Sequence, residues 1–156
     1  MFYSLFKHIE MRTNGKIQTI HGDLFKSTNS LVHCVSATMT MGLGIAVEFK
    51  RRFGRVDELL AQRKQVGQVA WIHDPKHDRY VFYLITKTHH WQKPTLKAMR
   101  KCLSELHTIC ETLGVRHLDM PRIGCGLDRL KWPQVEFLIQ EILCPSICVT
   151  VYTVSQ

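Results

Sequence analysis

The chain has 156 residues, 45% hydrophobic and 22% charged, the size and balance of one compact soluble domain. That excludes a disordered, collagen-like or low-complexity architecture, and no apolar run approaches the roughly 18 residues a transmembrane helix needs, so no membrane association is expected. With 21 Lys and Arg against 13 Asp and Glu, the net charge of +8 favours anionic partners without choosing among nucleotide, nucleic acid and acidic surface, and much of it also reads as ordinary solvated surface.

Residues 1–16 form an amino-terminal extension of unassigned structure, in which Phe2, Leu5, Phe6 and Ile9 fit either one helical stripe or an added edge element. Residues 17–156 read as the domain. Ile17 to Ile20 is a strand ending at His21-Gly22-Asp23, and Leu31 to Val35 is a second. Ile45, Phe49 and Phe53 fall at helical spacing, with Gly54 as a stop, and Val56 to Gln65 is another short helix. Gln68 to His73 and Tyr80 to Thr86 are strands joined by a turn at 74–78. Pro94 and Thr95 open a long helix whose apolar face is Leu96, Met99, Leu103, Leu106 and Ile109, and Gly114 ends it. His117 to Met120 is a strand entering a glycine-rich loop, Trp132 to about Leu143 a helix, and Ile147 to Val154 a closing strand. This alternation predicts an α/β fold, a mixed central sheet with helices on both faces in three α/β/α layers.

Six cysteines without a C-x-x-C pair or a secretory signal, several of them inside apolar segments, indicate reduced thiols and a reducing compartment, cytosol or nucleus, with no metal site. His73 and His77 are four apart but straddle a proline in a turn, which is poor spacing for a metal pair.

In open α/β sheets, ligands bind where strand carboxyl ends pass into loops and helices. Two such loops here are rich in glycine. Ser36 through Gly44 opens straight into a helix, and Gly42 and Gly44 let backbone approach a phosphate at that helix start. A tight helix entry needing small residues is the equal alternative, since Val47 stands where a dinucleotide fingerprint has its third glycine. In Pro121 through Leu130, Gly124 and Gly126 allow backbone N–H groups to converge as an anion nest, and Arg122 and Arg129 are either contacts or surface charges. Together the loops suit a diphosphate. Asp23 reads as a turn or helix cap, or as the acceptor for an exocyclic amine such as that of adenine. Lys87, after an apolar strand, either marks where the chain meets water or, held partly out of water, supplies a nucleophilic amine. His89-His90-Trp91 is a loop near the site or exposed surface, and Lys50-Arg51-Arg52 is a solvated helix face.

His21-Gly22-Asp23-Leu24-Phe25, His33-Cys34-Val35-Ser36, Met41-Gly42-Leu43-Gly44-Ile45-Ala46, Leu84-Ile85-Thr86-Lys87 and Pro121 through Leu130 together resemble the macrodomain family. The Leu-Ile-Thr-Lys and Gly-Cys-Gly-Leu-Asp-Arg-Leu segments resemble its terminal ADP-ribose protein glycohydrolase branch, also called the O-acyl-ADP-ribose deacylase branch. The resemblance runs from about Ile17 to Val154 and implies an ADP-ribose site with no metal and no organic cofactor. Asp23 would accept from the adenine amine, beside Leu24. Ser36, Gly42, Gly44 and Ile45 would form the first loop around diphosphate and distal ribose, and Arg122, Ile123, Gly124, Cys125, Gly126 and Leu127 the second. Tyr152 to Val154 would wall the adenine side. Lys87 would be the nucleophile and Asp128 the acid/base in releasing mono-ADP-ribose from protein glutamate or aspartate esters and in deacylating O-acyl-ADP-ribose. The implied setting is reversal of ADP-ribosylation by a monomer in nucleus or cytoplasm, a step of the DNA damage response, with poly(ADP-ribose) or nucleic acid drawn to the basic surface. A reader module that binds ADP-ribose without turnover and a basic nucleic-acid-binding domain are the alternatives. Two departures stand out: Ala37-Thr38-Met39-Thr40 is less acidic and polar than the family's loop, and residues 1–15 match nothing.

Overall fold

The computed structural model describes residues 17–126 and 130–154, so the amino-terminal extension, Leu127, Asp128 and Arg129 lie outside it. Six strands, β1 (Gln18–His21), β2 (Ser30–Ser36), β3 (Val69–Asp74), β4 (Arg79–Lys87), β5 (His117–Met120) and β6 (Cys148–Thr153), form one sheet in the order β1-β6-β5-β2-β4-β3. Every neighbouring pair is parallel except the β3–β4 hairpin. Among the described residues four helices join them: α1 (Ile45–Phe53), α2 (Val56–Ala61), α3 (Leu96–Leu113) and α4 (Trp132–Ile142). A 3-10 turn at Leu24–Lys26, not anticipated from the sequence, follows β1.

Alternation along the strands sorts the core into two layers. Leu31 and Val35 of β2, with Val81, Tyr83 and Ile85 of β4, pack on Phe49 of α1 and Leu59 of α2. Val32, Phe82 and Leu84 point the other way, onto Met99, Leu103 and Leu106 of α3 and Val135 and Ile139 of α4. A sheet covered on both faces needs near-continuous apolar strands, and that is the character of β2 and β4.

Helix punctuation follows the sequence at α3, where the Thr95 hydroxyl accepts from the Ala98 N–H at 3.1 Å and Gly114 takes a left-handed φ of 74°. At α2 the expectation fails: the helix stops at Ala61 instead of continuing to Gln65, and Arg63 is left-handed at φ 51°. The reason lies across space, because the Gln62 amide donates to the Trp71 carbonyl at 2.8 Å and accepts from its N–H at 3.1 Å. Gln62 thereby covers the outer backbone of β3, an edge strand whose Val69 N–H is also taken by Glu105 at 2.6 Å.

Because β1, β2, β4, β5 and β6 run in parallel, their carboxyl ends, from His21 to Lys87, open on one edge of the sheet. The β3–β4 turn, where His73 meets Asp78 at 2.8 Å and His77 meets Asp74 at 3.6 Å, lies at the opposite end.

Candidate active site

A cleft of about 1580 Å³ runs along that edge, larger than the 300–1,000 Å³ typical of small-ligand pockets. It reaches from Asp23 beyond β1 to Lys87 at the end of β4, four strand spacings or about 19 Å in the sheet's hydrogen-bonding direction. Every described residue assigned to the site from sequence lines it, in both glycine-rich loops and at Asp23, Leu24, Lys87, Tyr152 and Val154. Leu127 and Asp128 fall outside the described residues.

At one end, Asp23 caps the 3-10 turn, its Oδ1 accepting from the Phe25 N–H at 2.9 Å, so the cap reading holds and the second carboxylate oxygen is not used by that bond. Phe25 lies under the Arg52 guanidinium at 4.5 Å and edge-on to Phe49 at 5.0 Å. Tyr152 and Thr153 adjoin from β6, and burial, with Asp119 nearby, raises the Tyr152 phenol above its ordinary pKa.

The first loop is held by unusual backbone. Met39 and Met41 take left-handed φ of 54° and 45° with their side chains buried, and Gly44, at φ 62° and ψ −149°, uses a region open essentially to glycine. Two buried thioethers thus anchor a loop whose Gly42 and Gly44 stay exposed above the start of α1, which has no side-chain cap. The Ser36, Thr38 and Thr40 hydroxyls form a chain with 2.8 Å steps.

The second loop turns at Gly124, buried and at φ 73°, where a Cβ would sit 2.8 Å from Met99 Cε and 3.0 Å from Leu130 Cδ1. The Leu130 N–H donates to the Gly124 carbonyl at 2.8 Å and the Cys125 N–H to the Arg122 carbonyl at 3.2 Å, leaving Gly126 open to the cleft. The Arg122 guanidinium lies over the Trp132 ring at 5.6 Å.

Lys87 ends β4, next to the first loop, which leaves the neighbouring strand β2. A register shift between Val35 and Ser36 pairs Ser36 with Lys87, and the Ala37 N–H donates to the Lys87 carbonyl at 2.9 Å. A bulge of this kind re-aims a side chain at the end of a strand, and here the half-buried lysine lines the cleft beside the first loop.

Sequence reasoning did not assign Phe25, Cys34, Arg52, Lys93 and Trp132 to the cleft: Phe25 and Cys34 stand inside the family motifs, Arg52 reads as solvated helix face, and Lys93 and Trp132 carry no local motif. It left His89-His90-Trp91 open, and the structure puts His90 and Trp91 on the rim. Among the described residues no three His, Cys, Asp or Glu assemble for a metal, and burial pushes the Cys102 and Cys110 thiols up to about 12 and Cys144 to about 11, which makes them inert packing groups.

The sequence pattern of the Macro domain family matches residues 32–139. The chain belongs to the macrodomain family. This macrodomain is 48% identical over 142 residues, 89% of its length and 92% of the relative's, to the bovine protein named "ADP-ribose glycohydrolase OARD1". It is 30% identical over 136 residues to a Thermus aquaticus protein named "DNA ADP-ribosyl glycohydrolase", matching 81% of this chain and 38% of that relative. Among solved structures, "Thermosipho africanus DarTG in complex with ADP-ribose" superposes with a TM-score of 0.78 at 21% identity, covering 92% of the macrodomain and 43% of that chain.

Proposed function

We propose that this macrodomain hydrolyses ADP-ribose from protein glutamate and aspartate esters and deacylates O-acyl-ADP-ribose, with Lys87 as nucleophile and Asp128 as acid/base. The observation that carries the reading is the placement of Lys87 in the same cleft as both glycine-rich loops, at the end of β4 beside the loop that leaves β2, a position that binding alone does not require. The name of the 48% identical bovine relative supports the reaction class.

Asp23 and Tyr152 take the adenosine end, and the backbone N–H groups of the loops and the start of α1 take the diphosphate, leaving the distal ribose at Lys87. The Lys87 amine forms a bond to the anomeric carbon as the bond from that carbon to the acyl oxygen breaks, and the protein carboxylate leaves with the electron pair. Asp128 receives the proton the amine sheds, returns it to the lysine nitrogen as the bond to the anomeric carbon breaks, and takes one from the water that adds to that carbon, so that free ADP-ribose and the lysine amine are released and the last proton passes to solvent. For O-acetyl-ADP-ribose, water activated by Asp128 attacks the ester carbonyl directly, and Lys87 is then dispensable.

The test is release from a glutamate-linked mono-ADP-ribosylated protein by wild type, Lys87→Ala and Asp128→Ala, with binding of free ADP-ribose measured alongside. The expected result is release by wild type, lost at least 100-fold in both variants as for removal of a general acid–base group, with binding kept. Binding without release by wild type would make the domain a reader, and no binding would remove the site assignment altogether.

A further inference from the structure

Helices α3 and α4 leave a groove of about 520 Å³ between their amino-terminal halves, sharing no lining residue with the large cleft. Its floor is Leu138, buried, and Leu96, half-buried; Pro133 and Phe137 of α4 form one wall, and Lys97 and Arg100 of α3 the other. Phe137 is 63% exposed, so a large aromatic ring stands in water at the mouth of an apolar depression. The two cations have no local reason to be there. Lys97 lies in the first turn of α3, where the helix dipole opposes a positive charge, and neither α3 nor α4 carries an acidic residue in its first turn. Arg100 and Lys101 follow it at i+3 and i+4, spacings at which like charges destabilise a helix. Among the described residues no carboxylate pairs with any of the three, in contrast to α1, where Glu48 answers Arg51 and Arg52.

We propose that this groove docks an acidic amphipathic helix of a partner protein, with two apolar side chains one turn apart filling it and carboxylates on the flank meeting Lys97 and Arg100. The dimensions suit that occupant. Pro133 to Leu138 advances about 7.5 Å along α4 at about 1.5 Å per residue, close to the ~6 Å between residues i and i+4 of a docked helix. Other occupants answer only part of the surface. The chain's own residues 1–16 offer Phe2, Leu5, Phe6 and Ile9, but with Lys7, Arg12 and Lys16 against Glu10 they carry the same sign as the groove. A second copy meeting this face across a twofold axis would set Lys97 and Arg100 against themselves. Nucleic acid answers the cations but has no aliphatic side chain for the leucine floor, and a bilayer surface is too flat to enter it. Because groove and cleft share no residue, the inference stands or falls without the hydrolase reading.

The experiment selects a display library of short random peptides on wild type, then titrates an enriched peptide by fluorescence anisotropy against wild type, Phe137→Ala and a double variant, Lys97→Glu with Arg100→Glu. Expected is a consensus with two large apolar residues three or four apart among Glu and Asp, bound at least tenfold more weakly by both variants. Replacing the peptide's carboxylates by lysines should restore binding to the double variant and abolish it for wild type. The double variant should melt no lower than wild type, since a carboxylate suits the first turn of α3, so lost binding is not lost folding. Affinity for free ADP-ribose should be equal in all of these proteins, since the changed side chains lie outside the cleft. A selection that yields no Phe137-dependent peptide, or a consensus lacking acidic residues, would overturn the docked helix. So would Phe137-dependent pelleting with phosphatidylserine vesicles, or retention of an oligouridylate, in place of peptide binding.

Discussion

His33 lies in β2 with its imidazole 3.8 Å from the Phe49 ring and 9° from parallel, edge-on to Tyr83 at 4.8 Å, and neither ring nitrogen has a hydrogen-bond partner among the described residues. Burial lowers its pKa from 6.5 to about 3, so the native state holds a neutral ring where the unfolded chain would take up a proton. The unfolded state therefore binds more protons throughout that interval. Stability is fully present above pH 6.5 and falls as the pH drops towards 3, by about 2 kcal/mol at pH 5. Urea unfolding at pH 7.5 and 5 should show this loss in wild type and lack it in His33→Phe, which keeps a stacking ring without the titration; equal losses would remove His33 from the acid response. The proposed function adds a second, separable task to the cap that Asp23 forms. Asn caps as well as Asp but presents an N–H₂ where the second oxygen stood, so Asp23→Asn should keep the melting temperature and weaken ADP-ribose binding about tenfold, whereas Asp23→Ala should lose both the cap, about 1 kcal/mol, and the affinity. Unchanged affinity in both variants would leave Asp23 a cap and nothing more.

The glycine loops work as elements because each is tied to the core. At Gly124 a side chain meets a left-handed φ of 73° and a Cβ contact of 2.8 Å together, so Gly124→Ala should lower stability by about 1–3 kcal/mol and displace the Arg122–Gly126 turn, cutting ADP-ribose affinity. Calorimetry and titration on the same sample check it, and a variant that melts early yet binds normally would separate the turn from the site. That loop was legible in the sequence because glycine spacing after a strand is a local signal, as were the helical period of α3 with its Thr95 and Gly114 ends and the apolar runs of β2 and β4. What was not legible depends on distant partners. The end of α2 is set by Gln62 reaching Trp71, the left-handed Met39 and Met41 are residue types that give no warning of positive φ, and β1 finds β6 from the other end of the chain. The Phe25–Arg52 and His89–Trp91 contacts likewise form only once the loops are in place.

Across the whole molecule, the charge of +8 is not uniformly available. Arg51 and Arg52 share the single carboxylate of Glu48, Arg55 pairs with Glu58, and Arg79 is buried against Asp74, so three carboxylates balance three of these four guanidinium charges. Exposed pairs of this kind add little stability, and the described cleft lining, with Arg52, Lys87, Lys93 and Arg122 against Asp23 and Glu48, stays net positive. An anion carrying a diphosphate should then be drawn in by a field that reaches roughly 10 Å at 0.1 M salt and shrinks as salt rises. Stopped-flow association of ADP-ribose should slow several-fold between about 50 and about 300 mM NaCl, with a much smaller change in the dissociation rate, because hydrogen bonds to the loops hold the bound ligand at close range. Lys93→Gln should flatten that salt dependence. An association rate indifferent to salt, or a Lys93→Gln slope equal to that of wild type, would mean that the basic excess is spread too evenly to guide the ligand to this cleft.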